Sequence, residues 1–469
     1  MQNHNLRIAG LLMLTKIAFA INSVSAETLS KSDLSNQLDA VLENHSTSQR
    51  TTVTLKVIDL DSGEVLYDRG GDLLLTPASN LKIYTSACAL DCFGPVHQFQ
   101  TKLTTKGDLQ NGVLQGDLVL TGGGDAMFTS SDLTKLADLV TRELNISEIR
   151  GDVVVDNSRY ASPLKGPGWM WDDDPDYYNM SITPLMVDFN VLTLRLTPSE
   201  QGVSAQLLIP SSYPEIKYLS RRTVNGAKLA TRRPFTHPIL VARKGKLEEE
   251  KDLRLTMHNP GRWVSGIFKA MLADRGVRFS LPDGTNRSSS SSASQVLTHL
   301  GPSLTETLTH FNNHSENAVG EVLLHEIAIA NGTKKPRWPD GATAISKWLE
   351  ETAGLEPDSF RLVDGSGLSR YNLISADSSV RLLKFMHHHE HAAKFYSALK
   401  TYEVEVEGRK KPLVAAKPGG MASVSTISGY LKAPSGRLLA FSLLANGFIG
   451  SANPIFELRE KVWETLAQL

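Results

Sequence analysis

The sequence predicts an α+β protein in which one antiparallel sheet is assembled from both ends of the chain. Three observations carry this expectation: a strand pair near the start, a second pair near the end followed by a closing helix, and a long middle region of different texture. The early pair begins with Thr51-Thr-Val-Thr-Leu-Lys-Val-Ile-Asp-Leu60, an alternating run rich in β-branched residues. Asp61-Ser62-Gly63 turns the chain, and Glu64 to Tyr67 returns it as the second arm of a hairpin. Thr76-Pro77-Ala78-Ser79 then opens a helix expected to run to about Leu90, with Gly94-Pro95 as its stop.

From about Phe99 to Ser294 the chain alternates short strand-like runs, such as Leu114 to Leu120 and Val153 to Val155, with Gly/Pro turns and a helical Asp132 to Leu144. This reads as β-rich material inserted into a host domain. The run Ser288 to Ser292 reads as an exposed connector. Helical texture resumes at Ser303, strands are expected at Ser423 to Leu431 and Arg437 to Leu444, and a helix at Phe456 to Gln468. The expected division is a host domain of 27–98 with 300–469, an inserted module at 99–160 and a second, β-rich one at 161–299. Residues 1–26 read as a cleaved secretory signal: Arg7 precedes the apolar run Ile8 to Ile21, and small residues lead to Ala26.

Composition narrows the function. Lys plus Arg number 49 against 50 Asp plus Glu, a net charge of −1 that argues against a nucleic-acid partner. A hydrophobic share of 41% suits an ample core and excludes collagen-like, coiled-coil and disordered chains. The two cysteines, Cys88 and Cys92, lack zinc-site spacing and, four apart on one helix, read as core thiols. His387-His388-His389-Glu390-His391 reads as a solvated helix end, on which only His387 and His391 share a face, rather than as a zinc or nickel site. Gly122-Gly-Gly-Asp125 lacks the Lys-Ser/Thr of a phosphate loop. No cofactor or metal is expected.

Three short motifs carry chemistry. Ser79-Asn80-Leu81-Lys82 places a hydroxyl and an amine three residues apart on one helical face, the hydroxyl near the positive end of the helix. The lysine can take a proton only if burial or a neighbouring cation lowers its pKa. Ser315-Glu316-Asn317 offers a second hydroxyl and an amide, or else a plain N-cap. Lys417-Pro418-Gly419-Gly420 offers a cation beside closely approachable backbone, or else a loop leading into a strand.

Taken in order, the three motifs resemble the layout of serine β-lactamases and penicillin-binding proteins. With roughly 200 residues between the first two, the chain resembles the D-alanyl-D-alanine carboxypeptidase/endopeptidase family of low-molecular-mass penicillin-binding proteins. Asp364-Gly-Ser-Gly-Leu-Ser-Arg-Tyr-Asn372 is close to that family's Asp-Gly-Ser-Gly-Leu-Ser-Arg-x-Asn, and Gly122 to Asp125, Gly151 to Asp156 and Gly168-Trp-Met-Trp-Asp-Asp173 look like its inserted modules. The resemblance implies a transpeptidase-like fold, an antiparallel sheet flanked by helices with a helical subdomain and two β-rich insertions. It implies periplasmic action on peptidoglycan stem peptides, with β-lactams as acylating inhibitors.

By that resemblance Ser79 is the nucleophile, Lys82 its base, Ser315 the proton relay and Asn317 the orienting amide. Lys417 would supply positive potential that helps keep Lys82 neutral, and the N–H groups of Ser79 and Gly420, beside Gly419, the oxyanion hole. A pocket for the diaminopimelate side chain would use Asp173 for its ammonium, Arg370 for its carboxylate, and Tyr178 and Met421 as apolar walls. Homodimerisation and peripheral membrane association are compatible with it.

Two departures bear on function. The family's Lys-Thr-Gly-Thr/Ser loses both hydroxyls here, to Pro418 and Gly420, and its Leu-Pro…Gly-x-x-Gly-Thr-Leu stretch is replaced by Ala398 to Gly408. A missing N–H at Pro418 requires an edge strand. These changes predict weakened grip on a terminal carboxylate, with a shift toward internal crosslinks or slow turnover. They keep two alternatives in play: a silent peptidoglycan-binding homologue, and a β-lactamase or esterase.

Overall fold

The computed structural model describes residues 29–45, 49–280 and 293–469. The signal segment and the Ser288 to Ser292 connector lie outside them. Among the described residues no helix is long and apolar enough to cross a membrane.

One six-stranded antiparallel sheet joins the two ends of the chain. Its strands run in the order Lys400–Val406, Arg409–Met421, Val424–Lys432, Leu438–Asn446, Thr52–Asp59 and Val65–Arg69. The pairing of Thr52–Asp59 with Leu438–Asn446 runs from Thr52↔Asn446 to Asp59↔Leu439 and brings together segments almost 400 residues apart. The early hairpin, late strands and terminal helix expected from the sequence are therefore parts of one layer system.

Alternation along the strands decides which face meets which helices. Leu55 and Val57 point into a cluster with Leu34, Leu38 and Leu42 of the helix Lys31–Glu43 and with Leu458, Val462 and Leu466 of the helix Asn453–Leu466. Ile58, Ala440 and Leu444 point the other way, into the main core. At the centre of that core runs the helix Lys82–Phe93, whose residues from Lys82 to Leu90 are all buried. A helix enclosed on every side belongs in an interior. It packs on Asn317–Ala330 and Trp338–Glu351, and Gly94 closes it at a positive φ of 75° that glycine adopts freely, as the Gly-Pro stop predicted.

The middle of the chain forms separate sheets. The largest contains Gln98–Gln110, Val113–Gly123 and Ala293–Ser303, and a smaller one contains Lys251–Thr256, Val191–Ser199 and Gly202–Leu207. Their apolar residues, from Leu103 to Val277, fill one cluster. Glu326 links this region to the helical layer: Arg159 donates two hydrogen bonds to its carboxylate, at 2.7 and 2.5 Å, and the Tyr160 hydroxyl a third at 2.7 Å.

Two local expectations change. The helix ending near the histidine run stops at His388, and His391 caps the separate helix Ala392–Ser397. His387 and His391 therefore share no helix face, and His389 instead pairs with Asp91 at 2.9 Å. Of the two thiols only Cys88 is in the core; Cys92 is exposed, because the last turn of its helix leaves the packed layer.

Candidate active site

The Ser79 segment is not the start of an α-helix. Ala78–Leu81 is a 3-10 turn that runs directly into the α-helix at Lys82. In the tighter turn residues three apart eclipse, so Ser79 and Lys82 are stacked more directly than α-geometry would place them. Lys82 Nζ lies 2.9 Å from Ser79 Oγ. Ala78, just before the serine, is held at φ 47°, a strained value for a residue with a side chain. Its carbonyl abuts Gly367, where an added Cβ would come within 1.9 Å of the Ala78 oxygen.

Lys82 is completely buried, and burial lowers its pKa to about 8 against the opposing pull of Asp364, Glu321 and Glu316. Besides Ser79, the amine meets Asn317 Oδ1 at 2.8 Å and the Ser366 carbonyl at 2.7 Å. Both of these are acceptors only, the amide oxygen being fixed because Asn317 Nδ2 donates to the Tyr178 carbonyl at 3.0 Å. A neutral amine satisfies this set completely. When the amine is neutral, its two N–H bonds go to Asn317 and Ser366 and its lone pair can accept from the Ser79 hydroxyl; when protonated, it donates to all three oxygens.

Ser315 and Asn317 do not form an N-cap. Ser315 ends the helix Leu304–His314 in a left-handed conformation at φ 58°, and Asn317 begins the next helix without a side-chain cap. This kink turns Ser315 toward the sheet, where its hydroxyl lies 2.9 Å from Lys417 Nζ.

Lys417 sits inside a strand, not in a loop before one. Arg409–Met421 pairs with Val424–Lys432 from Val414 to Met421, but its other neighbour ends at the Lys400↔Ala416 pair. Pro418 to Met421 therefore border no strand on that side, and the proline is tolerated for the reason expected. The Pro418 carbonyl accepts a hydrogen bond from Lys417 Nζ at 3.1 Å. Lys417 is itself pushed well below the usual lysine range, first by burial and then by Lys82 and Lys400. Burial, rather than the neighbouring cation, thus comes first in lowering Lys82.

The two glycines of this strand differ. A Cβ on Gly419 would stand 2.4 Å from the Pro77 carbonyl and 2.6 Å from the Asn80 nitrogen, so the strand can pack on the Ser79 turn only through glycine. A Cβ on Gly420 would meet nothing within 4 Å. Asn80 completes the junction, donating to the Lys417 carbonyl at 2.7 Å and accepting from Ser428 Oγ at 2.9 Å.

A cavity of about 600 Å³ opens above these groups. Ser79, Ser315, Asn317 and Gly420 line it together with Asp173, Tyr178, Arg370 and Met421, while Lys82 and Lys417 lie buried beneath. Of the acidic turn, Asp174 is buried against Arg232 and Lys165, whereas Asp173 faces the cavity and accepts a hydrogen bond from Tyr178 Oη at 3.0 Å. Tyr178 is therefore more than an apolar wall. Burial raises the Asp173 pKa, and Arg370 acts in the opposite direction.

Sequence reasoning missed the groups that hold Lys82 from below. Glu321 is fully buried, and its carboxylate accepts from Trp338 Nε1 at 2.9 Å and from the Gly365 and Ser366 amides at 3.1 and 2.9 Å. Burial and the charge of Asp364 raise its pKa. Asp364 accepts from the Gly367, Ser369 and Asn372 nitrogens and from Trp169, folding the segment that presents the Ser366 carbonyl. Two glutamates, Glu321 and Glu326, within the largely apolar run Asn317 to Ala330 were the available signal.

Residues 34–462 match the D-Ala-D-Ala carboxypeptidase 3 (S13) family. The chain belongs to that family. It is 30% identical to a D-alanyl-D-alanine carboxypeptidase of Actinomadura sp. (strain R39), over 90% of this chain and 82% of that protein. Identity to the D-alanyl-D-alanine carboxypeptidase DacB of Haemophilus influenzae is 25%, over 83% and 84%. The crystal structure of penicillin binding protein 4 (dacB) from H. influenzae shares the fold, with a TM-score of 0.74 at 20% identity over 92% of this chain and 99% of that one. The family member described here is a serine-type D-Ala-D-Ala carboxypeptidase.

The glycine contrast gives a direct test. Gly419→Ala should cost roughly 1–3 kcal/mol in urea unfolding, as overpacking at a fixed junction does. Gly420→Ala should stay within about 0.5 kcal/mol of the parent in the same measurement.

Proposed function

We propose that Ser79, Lys82, Ser315, Asn317 and Lys417 form the catalytic machinery, and that the enzyme cleaves both D-Ala-D-Ala termini and D-Ala–diaminopimelate crosslinks of peptidoglycan in the periplasm. The observation that carries the reading is the buried Lys82 amine, in contact with Ser79 Oγ and otherwise surrounded by acceptors. Neutral Lys82 takes the Ser79 proton as Oγ attacks the carbonyl of the penultimate D-alanine. The N–H groups of Ser79 and Gly420 receive the developing oxyanion. The Ser315 hydroxyl, held by Lys417, gives its proton to the departing amine, and the proton that Lys82 took from Ser79 makes good the loss. Water then releases the acyl group by the reverse proton path.

Asp173 and Arg370, one of each sign at the cavity wall, suit the ammonium and carboxylate of a diaminopimelate side chain, with Tyr178 and Met421 beside them. The division into a host domain of 27–98 with 300–469 and inserted modules at 99–160 and 161–299 belongs to the same proposal. The sheet built from both chain ends supports it. Penicillin binding protein 4 from H. influenzae is known in complex with a novel β-lactam, which supports β-lactams as acylating inhibitors here. A second reading, slow turnover with internal crosslinks preferred, is favoured by one feature. Pro418 and Gly420 offer no side-chain donor on the open edge of the strand.

A fluorescent penicillin should label the parent at Ser79, seen by mass spectrometry of the intact protein, and leave Ser79→Ala unlabelled. No adduct would favour a silent binding protein, and rapid drug turnover a β-lactamase. Lys82→Met should slow acylation at least about a hundredfold, the lower bound for removing a general base. With the Lys82 pKa at about 8, the amine is mostly protonated at pH 7. Acylation should therefore rise about fivefold from pH 7 to pH 8 and level off above about 9 in stopped-flow traces. Placing threonine at 418 and 420 together should raise D-alanine release from a D-Ala-D-Ala peptide, and an unchanged rate would refute weakened carboxylate binding.

A further inference from the structure

The acidic turn beside the cavity carries two neighbouring carboxylates with opposite fates. Asp173 lines the cavity, whereas Asp174 is buried at 5% exposure. The backbone at Asp174 is extended, with φ −79° and ψ 126°, so adjacent side chains leave the chain on opposite sides. Whatever holds Asp174 inward therefore aims Asp173 outward.

Asp174 is held by Arg232, at the end of the strand Ala230–Arg232 in the β-rich middle of the chain. Arg232 is buried, and each of its N–H bonds has an acceptor. Nε donates to the Thr256 carbonyl at 3.1 Å, and Nη1 to the Arg233 and Thr236 carbonyls at 3.2 and 3.1 Å. Nη2 donates to Asp174 Oδ1 and, at 2.9 Å, to Thr256 Oγ1. These bonds use the whole donor capacity of a guanidinium. The Thr256 hydroxyl passes its own hydrogen to Asp174 at 2.9 Å, and the Phe235 N–H meets the other carboxylate oxygen at 3.2 Å. A buried ion pair adds little stability over well-packed apolar groups, because both charges lose their water. What a saturated, planar fork supplies is direction.

The rest of the turn is tied to the same region. The Thr256 N–H bonds the Pro175 carbonyl at 3.0 Å, and Asp176 bridges to Leu255. Asn179 closes the turn by donating to the Met170 carbonyl at 3.1 Å, and Lys165 donates to the Asn179 side chain at 3.2 Å and to its carbonyl. Tyr178 bonds in two directions, its hydroxyl to Asp173 and its carbonyl to Asn317 Nδ2, each at 3.0 Å. The turn thus spans from a buried anchor among the middle strands to the amide that touches Lys82.

We propose that Arg232 is a positioning residue for substrate selection: through Asp174 it fixes the turn so that Asp173 meets the ammonium of a diaminopimelate side chain. Arg232 itself does not line the cavity. The β-rich middle region then has a defined part in the reaction. It keeps the selecting carboxylate in place, while the residues around Ser79 carry out acyl transfer. The inference rests on the Asp173 pocket of the proposed function.

Two peptides ending in D-Ala-D-Ala provide the test, one with a free diaminopimelate side chain and one with its distal amine acetylated. The full chain should prefer the free amine by about tenfold or more in kcat/KM, the scale of a hydrogen bond to a charged group. Arg232→Lys keeps the charge but loses the fork, and should cut that preference by at least about threefold. The loss should appear in KM for the free-amine peptide, with kcat and penicillin acylation within about twofold of the parent. General loosening of the fold would slow both peptides alike and leave the ratio unchanged. Thr256→Val, which removes the shared hydroxyl and no charge, should lower the ratio in the same direction, and carries the test alone should Arg232→Lys fail to fold. An undiminished ratio in either folded variant overturns the positioning role and leaves the acyl-enzyme reading intact. A parent that cleaves both peptides equally overturns the Asp173 pocket and the positioning role with it. A parent that cleaves neither and takes no penicillin at Ser79 overturns the acyl-enzyme reading as well.

Discussion

The organisation of the molecule depends on one amine kept away from water. Lys82 is completely buried, and a charge there is expensive because the interior cannot solvate it as water does. Three oxygens reach it, and two of them can only accept. The third oxygen belongs to a hydroxyl, which accepts from the protonated amine and can give its hydrogen to the neutral one. The constraint that makes the residue costly thus also makes it a base.

That constraint propagates outward. The Ser366 carbonyl stays in place because Asp364 gathers the surrounding amides, and the segment is anchored to Glu321 in the adjoining helix. Asn317 keeps its oxygen toward Lys82 because its nitrogen is committed to the Tyr178 carbonyl. Gly419 lets the strand close onto the Ser79 turn, with Asn80 bonded across the junction. Apart from the local Asp364 turn, these contacts join parts of the chain that are remote in sequence, so the site exists only when the sheet, the central helix and the insertion are assembled together.

Residue types were more legible than conformations. Ser79, Lys82, Ser315, Asn317 and Lys417 were singled out by motif, and the structure gathers them at one cavity as two hydrogen-bonded groups, Ser79–Lys82–Asn317 and Ser315–Lys417. The turn around Ser79, the kink at Ser315 and the strand around Lys417 were each read as something plainer. Local propensity pointed to a helix start, a cap and a loop; packing imposed a 3-10 turn after a strained Ala78, a left-handed Ser315 and a paired strand at Lys417. The histidine run shows the converse, since its apparent pattern dissolves once the helix ends at His388. Glu321 and Asp364 were passed over because a lone acid in a sequence says nothing of the amides that will surround it.

The sequence by itself determined the fold class, the pairing of distant strand segments and the residue types available for acyl transfer. Alternation and motif order are written along the chain and need no knowledge of neighbours. Only the tertiary structure decided which of these residues lose their water and which oxygens meet the Lys82 amine. It also decided that Lys417, rather than Lys82, bonds Ser315. Desolvation and hydrogen-bond geometry depend on everything packed around a group, and that surrounding comes from parts of the chain hundreds of residues away.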